Sequence, residues 1–266
     1  MVLKTFDPIE VPGTDIAIIG APWDSKRPLE DLVAKATAAA PGDRRSVLVG
    51  HGIVDALSPD KFDPALIVQT SVEAAVRSGA VAYIALGDRH STTDVGDTGK
   101  IWYSGTPVVT DYNEVDPNNV LVVTLDDDTS TVVTREVGTW RFLLRSFDLN
   151  SIDDVEAMAQ ELEAIADKTN AVVKISCVGT LNLASKARLD EHLALFADRF
   201  AALETWERHS DLVVMPDDAD LSELGLSGYG AAALEELTEE ARPGNPGADV
   251  AGDALALLYR LAKGVR

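Results

Sequence analysis

YIALGDRHSTTDVGDTGKIWYSGTP, residues 83–107, sets an apolar run directly against Gly-Asp-Arg-His. A polar, glycine-containing stretch follows, then a short aromatic run that closes in Ser-Gly-Thr-Pro. The run reads as a buried strand with Asp88 and His90 just beyond its end. Outward from it, toward the N-terminus, the same arrangement recurs. TDIAIIGAPW (14–23) reads as a strand ending in a Gly-Ala-Pro loop, and RSVLVGHG (45–52) as a strand ending at His51. Between these lie helix patterns: PLEDLVAKATAAA (28–40), with Pro28 in its first turn, and TSVEAAVRSGA (70–80), stopped by Gly79. Strand and helix alternate, and polar groups gather at strand ends, where α/β sheets build their sites.

Beyond residue 100 the pattern changes. KIWYSGTPVV, NVLVVTLDDD and STVVTREVGTW read as strands with short connections, which predicts antiparallel pairing. DDDTS (126–130) reads as the turn of a hairpin, since its carboxylates lack calcium-loop spacing. From about Trp140 a smaller α+β unit is predicted, 138–216, with a Ser151-x-x-Asp154 helix start. A helical segment, 217–266, follows, with helices near 230–241 and 248–263 parted by RPGNPG.

Composition narrows the function classes. The 266 residues carry 44 acidic and 23 basic side chains, a net charge of −21, which argues against a broad basic surface that grips nucleic-acid phosphates unaided. A metal site supplies its own local positive charge, so phosphate chemistry stays open. The single cysteine, Cys177, excludes an intramolecular disulfide and a cysteine-rich zinc site, and its apolar surroundings predict a core position. No charged, apolar leader opens the chain and no apolar run reaches about 18 residues. A soluble, cytoplasmic protein that does not engage a membrane is expected.

Among the chemistry-bearing residues, His51 reads either as a ligand projecting from a strand end or as a hydrogen-bonded loop histidine. Asp88 and His90, two apart at a strand end, are expected to point to one side, and an oxygen with an imidazole nitrogen suits Mn²⁺, Zn²⁺ or Fe²⁺ better than Ca²⁺. Gly87 allows close backbone approach. Arg89 reads equally as a substrate-phosphate contact or as the partner of a local carboxylate. Tyr103 and Ser104 read as shaping the turn below the site, Trp23 as packing more than base stacking, and Ser25-Lys26-Arg27 as a small basic cluster. His192 and His209 read as surface or satisfied histidines.

VLVGHG, then YIALGDRH, then IWYSGTP and the acidic DYNE, in this order, resemble the second half of calcineurin-like metallophosphoesterases, the SbcD-type DNA repair exonucleases in particular. The resemblance implies an α+β fold, half of a metallophosphoesterase β-sandwich flanked by helices over 1–137, then a capping-like α+β unit. It implies phosphodiester hydrolysis with two divalent ions, Mn²⁺ first, Fe²⁺ or Zn²⁺ next, about 3.5–4 Å apart. His51, Asp88 and His90 would be metal ligands, His51 and His90 catalytic. Implied partners are DNA or another phosphodiester and an SbcC-type ATPase, with a homodimer as a further option; the Leu/Ala-rich terminal helices read either as the ATPase docking element or, somewhat more so, as packing on the protein's own body. Asp88 stands where the family has histidine. The family's Asp-x-His, GDxxD and GNH motifs have no counterpart, so the chain reads as a C-terminal half whose N-terminal half lies elsewhere, or as a degenerate homologue. Little phosphodiesterase activity is expected from these residues alone. A phosphatase or nucleotide phosphodiesterase on the same scaffold, and a non-catalytic scaffold subunit, are the alternative readings.

Overall fold

The computed structural model describes residues 2–25, 27–126, 129–214, 225–242 and 244–263. The chain is α+β and divides into two compact units, 1–140 and 141–266.

The first unit is built on a sheet of six strands in the order β1-β2-β3-β4-β6-β5. These are β1 (Ile9–Glu10), β2 (Ile16–Gly20), β3 (Arg45–His51), β4 (Tyr83–Gly87), β5 (Thr93–Asp94) and β6 (Ile101–Tyr103). The four central strands β2, β3, β4 and β6 run parallel, and β1 and β5 close the two edges antiparallel. Two helices, α1 (Leu32–Thr37) and α2 (Gln69–Arg77), supply the crossovers β2-α1-β3 and β3-α2-β4. Their Val33, Ala36, Val72 and Val76 join Ile19, Leu48, Ile84, Leu86, Ile101 and Tyr103 in one core. Gly50 lets α1 come close, for a Cβ there would stand 2.6 Å from Val33 Cγ2.

Two local expectations are corrected. The helix predicted over 28–40 is shorter, because Asp31 rather than Pro28 starts it: its Oδ1 accepts the Val33 and Ala34 amides at 3.0 and 2.9 Å. Its other oxygen accepts the Val68 amide at 2.9 Å, so the cap also ties α1 to the start of α2. Strand β6, expected to pair antiparallel with its followers, lies parallel beside β4 instead. The apolar Ile101 and Tyr103 bury in the sheet core, and the polar 88–100 stretch provides the connection. β7 (Asn119–Leu125) and β8 (Ser130–Glu136) do form the expected antiparallel hairpin, though Asp127 and Asp128 of its turn lie outside the described residues.

The second unit is a βαβαβ arrangement. β9 (Arg141–Leu149), α3 (Ile152–Ala164), β10 (Ala171–Leu181), α4 (Leu183–Ala197), β11 (Ala202–Thr205) and β12 (Asp211–Val214) follow in order. The long β10 pairs parallel with β9 on one side, and with β11 and then β12 on the other. A 3-10 turn at Glu207–His209 separates β11 from β12. Ser151 caps α3 as expected, accepting the Asp154 amide at 3.2 Å. Cys177 is a buried core thiol, and burial pushes its pKa up to about 11.

The expected terminal helices are present as α5 (Tyr229–Glu240) and α6 (Ala248–Lys263). They do not stand apart as a 217–266 segment. Leu234, Ala251, Leu255 and Tyr259 bury against Leu183 and Ala187 of α4, so both helices belong to the second unit. Residues 215–224 lie outside the described residues. Among the described residues no helix is long and apolar enough to cross a membrane.

Candidate functional site

The parallel strands of the first unit end together. His51, the last residue of β3, pairs in register with Gly87, the last of β4, and Leu86 pairs with Tyr103 at the end of β6. Alternation along β3 buries Leu48 and Gly50 on the α1 side, so His51 shares the opposite face with the exposed Val49. Its ring lies over Gly87, where a Cβ would stand 3.1 Å from His51 Nδ1. A side chain at 87 would push the imidazole away, and glycine leaves it room.

Asp88 follows at φ +104°, in the left-handed half of backbone space that non-glycine residues rarely enter. That turn brings its Oδ1 to 3.5 Å from His51 Nε2, both side chains about half exposed. The same turn ends the extended alternation of β4. Asp88 and His90 therefore do not act as one i, i+2 pair: Asp88 meets His51, while His90 engages other residues.

His90 Nδ1 lies 3.0 Å from Glu114 Oε1 and 2.9 Å from Thr110 Oγ1. His90 is half exposed, whereas the Glu114 side chain is 5% exposed. The Thr110 hydroxyl donates to Glu114 Oε1 and the Thr110 amide to Oε2, the latter at 3.0 Å. Burial by itself would raise the Glu114 carboxyl. The hydrogen bonds from the Thr110 hydroxyl and amide and from His90 outweigh it and hold the group below the usual carboxylate range.

The surrounding residues fix these positions. Trp23 meets His51 edge-on, ring centroids 4.9 Å apart, and its Nε1–H donates to the His51 carbonyl at 3.0 Å. Trp23 thus supports the histidine. The buried Tyr103 hydroxyl donates to the Gly52 carbonyl at 2.7 Å and accepts the Val54 amide at 3.0 Å, which anchors the chain just after His51. Burial, with a smaller contribution from the charge of Asp88, pushes its pKa up to about 12. Gly105 (φ +73°) packs on the His90 loop, a Cβ there meeting His90 O and Thr92 N at 2.8 Å. The Thr106 amide donates to the His90 carbonyl at 3.0 Å, and Thr92 Oγ1 donates to Ser104 O and Asp116 O. The Tyr-Ser-Gly-Thr stretch is the clamp that shapes the loop carrying His90.

No known protein family matches this chain, nor does any curated protein.

Arg89 is half buried, its Nε donating to Thr93 Oγ1 at 2.7 Å, and among the described residues it forms no ion pair. Of its two readings, the local-carboxylate one finds no support among those residues. Lys26 of the basic cluster lies outside the described residues. His192 and His209 belong to the second unit, where His192 lies 3.3 Å from Glu156 and His209 packs on Trp206. Glu114 was not singled out among the sequence candidates. Its signal was the acidic DYNE after IWYSGTP, but nothing in the spacing shows that this carboxylate would be buried behind His90.

The donor chemistry fits a divalent cation in part. His51 Nε2 and Asp88 Oδ1 offer one nitrogen and one oxygen side by side, and His90 offers a further nitrogen elsewhere on the same loop system. Among the described residues no three His, Cys, Asp or Glu side chains gather closely enough to share one ion.

Proposed function

We propose that the first unit contributes part of a metal-dependent phosphoesterase centre of the DNA-exonuclease kind, with His51, Asp88 and His90 as its metal donors. One observation carries the reading. Asp88 takes a backbone conformation that costs a non-glycine residue about 1–3 kcal/mol, and in it meets His51 at 3.5 Å on the C-terminal edge of a parallel sheet. Strain of that kind persists where the surroundings enforce it, and it concentrates at working sites.

Divalent ions, Mn²⁺ first and Fe²⁺ or Zn²⁺ next, would supply a nucleophilic hydroxide and neutralise phosphoryl charge. The chain's own part is to hold them with His51, Asp88 and His90 and to orient those donors. Arg89, with guanidinium N–H groups beyond the one given to Thr93, would contact a substrate phosphate. Two octahedral ions want about twelve donors. Three from this chain are too few, so the reading requires a second segment to complete the centre. The 266 residues alone are then expected to hydrolyse phosphodiesters weakly or not at all.

A phosphatase or nucleotide phosphodiesterase is the second reading, favoured by the net charge of −21, which disfavours a long polyanion. Purified chain is assayed with Mn²⁺ on linear DNA, on a cyclic nucleotide and on a nitrophenyl phosphate ester. Weak turnover that falls further in His90→Ala supports the part-site, and the better substrate chooses between the readings. Robust turnover lost in His90→Ala would show a complete centre and overturn the need for a second segment. Turnover unchanged in His51→Ala, Asp88→Ala and His90→Ala would overturn the site itself.

A further inference from the structure

The buried carboxylate behind His90 has a defined job in its geometry. Both Glu114 oxygens face donors: Oε1 the Thr110 hydroxyl and His90 Nδ1, Oε2 the Thr110 amide. A carboxylate in that position is an acceptor only. If Nδ1 were bare, its one nearby donor would be the Thr110 hydroxyl at 2.9 Å, which would then give up Oε1 and leave the Nδ1 and Oε1 lone pairs facing each other at 3.0 Å. The arrangement is satisfied when Nδ1 carries the proton, which then leaves Nε2 bare. Among the described residues Nε2 has no partner, and the half-exposed ring turns it away from the buried carboxylate.

We propose that Glu114 is the positioning residue of His90, holding the imidazole as its Nδ1–H tautomer so that Nε2 is presented as a bare donor. A carboxylate at one ring nitrogen is the arrangement that fixes tautomer and orientation of a histidine whose other nitrogen binds a metal. Thr110 completes the relay, and Gly105 and Thr106 hold the His90 backbone in place for it. The consequence for metal binding rests on the function proposed above; the tautomer does not.

The test is a long-range ¹H–¹⁵N correlation of the imidazoles in the metal-free 266-residue chain at about pH 8.5, above the ordinary histidine pKa of about 6.5. With four histidines in the chain, His90→Ala assigns the signal. The wild-type ring is expected with Nδ1 protonated and Nε2 bare. In Glu114→Gln, with the fold verified by circular dichroism, the preference is expected to collapse to a mixture or to Nε2–H. A wild-type ring protonated at Nε2 overturns the proposal, and that result needs no variant to fold. So does an unchanged tautomer in folded Glu114→Gln. Mn²⁺ titration of the same samples is expected to show affinity about tenfold or more weaker in Glu114→Gln. If Mn²⁺ binds neither protein while the tautomers behave as stated, the metal reading fails and the assignment of Glu114 stands.

Discussion

His51 ends β3 and Asp88 directly follows the end of the neighbouring parallel strand β4, and their Nε2 and Oδ1 atoms stand 3.5 Å apart. Three features make that meeting: Gly87 leaves space under the ring, Asp88 turns at φ +104°, and Trp23 backs the imidazole from the side. The pairing separates what stability wants from what a site wants.

Asp88→Gly separates the two experimentally. Glycine relieves the positive φ, and the entropy it adds to the unfolded chain offsets part of that gain, so stability is expected to stay within about 1 kcal/mol or rise. Mn²⁺ affinity is expected to fall. Urea denaturation and a Mn²⁺ titration on the same protein check both. A marked loss of stability would mean that Asp88 serves the fold.

Tyr103→Phe leaves the Val54 amide and the Gly52 carbonyl without their partner in a buried setting. The expected loss is about 2–6 kcal/mol by chemical denaturation, from two orphaned groups at about 1–3 kcal/mol each. The chain after His51 should loosen, which amide exchange at Gly52 and Val54 would report.

The same phenol sets a limit at high pH. Tyr103 and Tyr83 both have pKa values pushed up to about 12 by burial, above the unfolded value of about 10. A raised pKa means the folded state keeps its protons longer. The stabilisation is therefore fully present below pH 10 and lost as pH rises from about 10 toward 12. Denaturation midpoints measured across that range should fall more steeply in wild type than in Tyr103→Phe.

Gly105→Ala tests the clamp. Its Cβ would meet His90 O and Thr92 N at 2.8 Å in a conformation that favours glycine, and both are backbone atoms with little room to yield. A loss of about 1–3 kcal/mol is expected, with the His90 and Thr92 amide resonances moving most. A neutral substitution would show that the His90 loop is not held as described.

Much of this arrangement was readable from the residues. The runs ending at Gly20, His51 and Gly87 are apolar, short and bounded by glycine or polar residues; each became a strand, and His51 and Asp88 come to the same sheet edge. The Ser151 cap and the period of residues 152–164 likewise gave α3. Other features were hidden for physical reasons. β6 is too short for its pattern to choose a partner, and burial of Ile101 and Tyr103 beside β4 decided it. An i, i+2 rule holds only in extended backbone, and Asp88 leaves it, which sent His90 to Glu114 instead of to His51. The RPGNPG break reads as a linker, yet the leucines and alanines on either side of it bury on α4.

Mn²⁺ paramagnetic broadening in an ¹H–¹⁵N spectrum of the 266-residue chain tests the central claim most directly. At low Mn²⁺ the amides of Gly50–Gly52 and Gly87–His90 are predicted to vanish first, and the effect to be lost in His51→Ala and Asp88→Ala. Broadening that begins elsewhere, or that persists unchanged in both variants, would contradict the assignment of this sheet edge as the metal-binding part of the site.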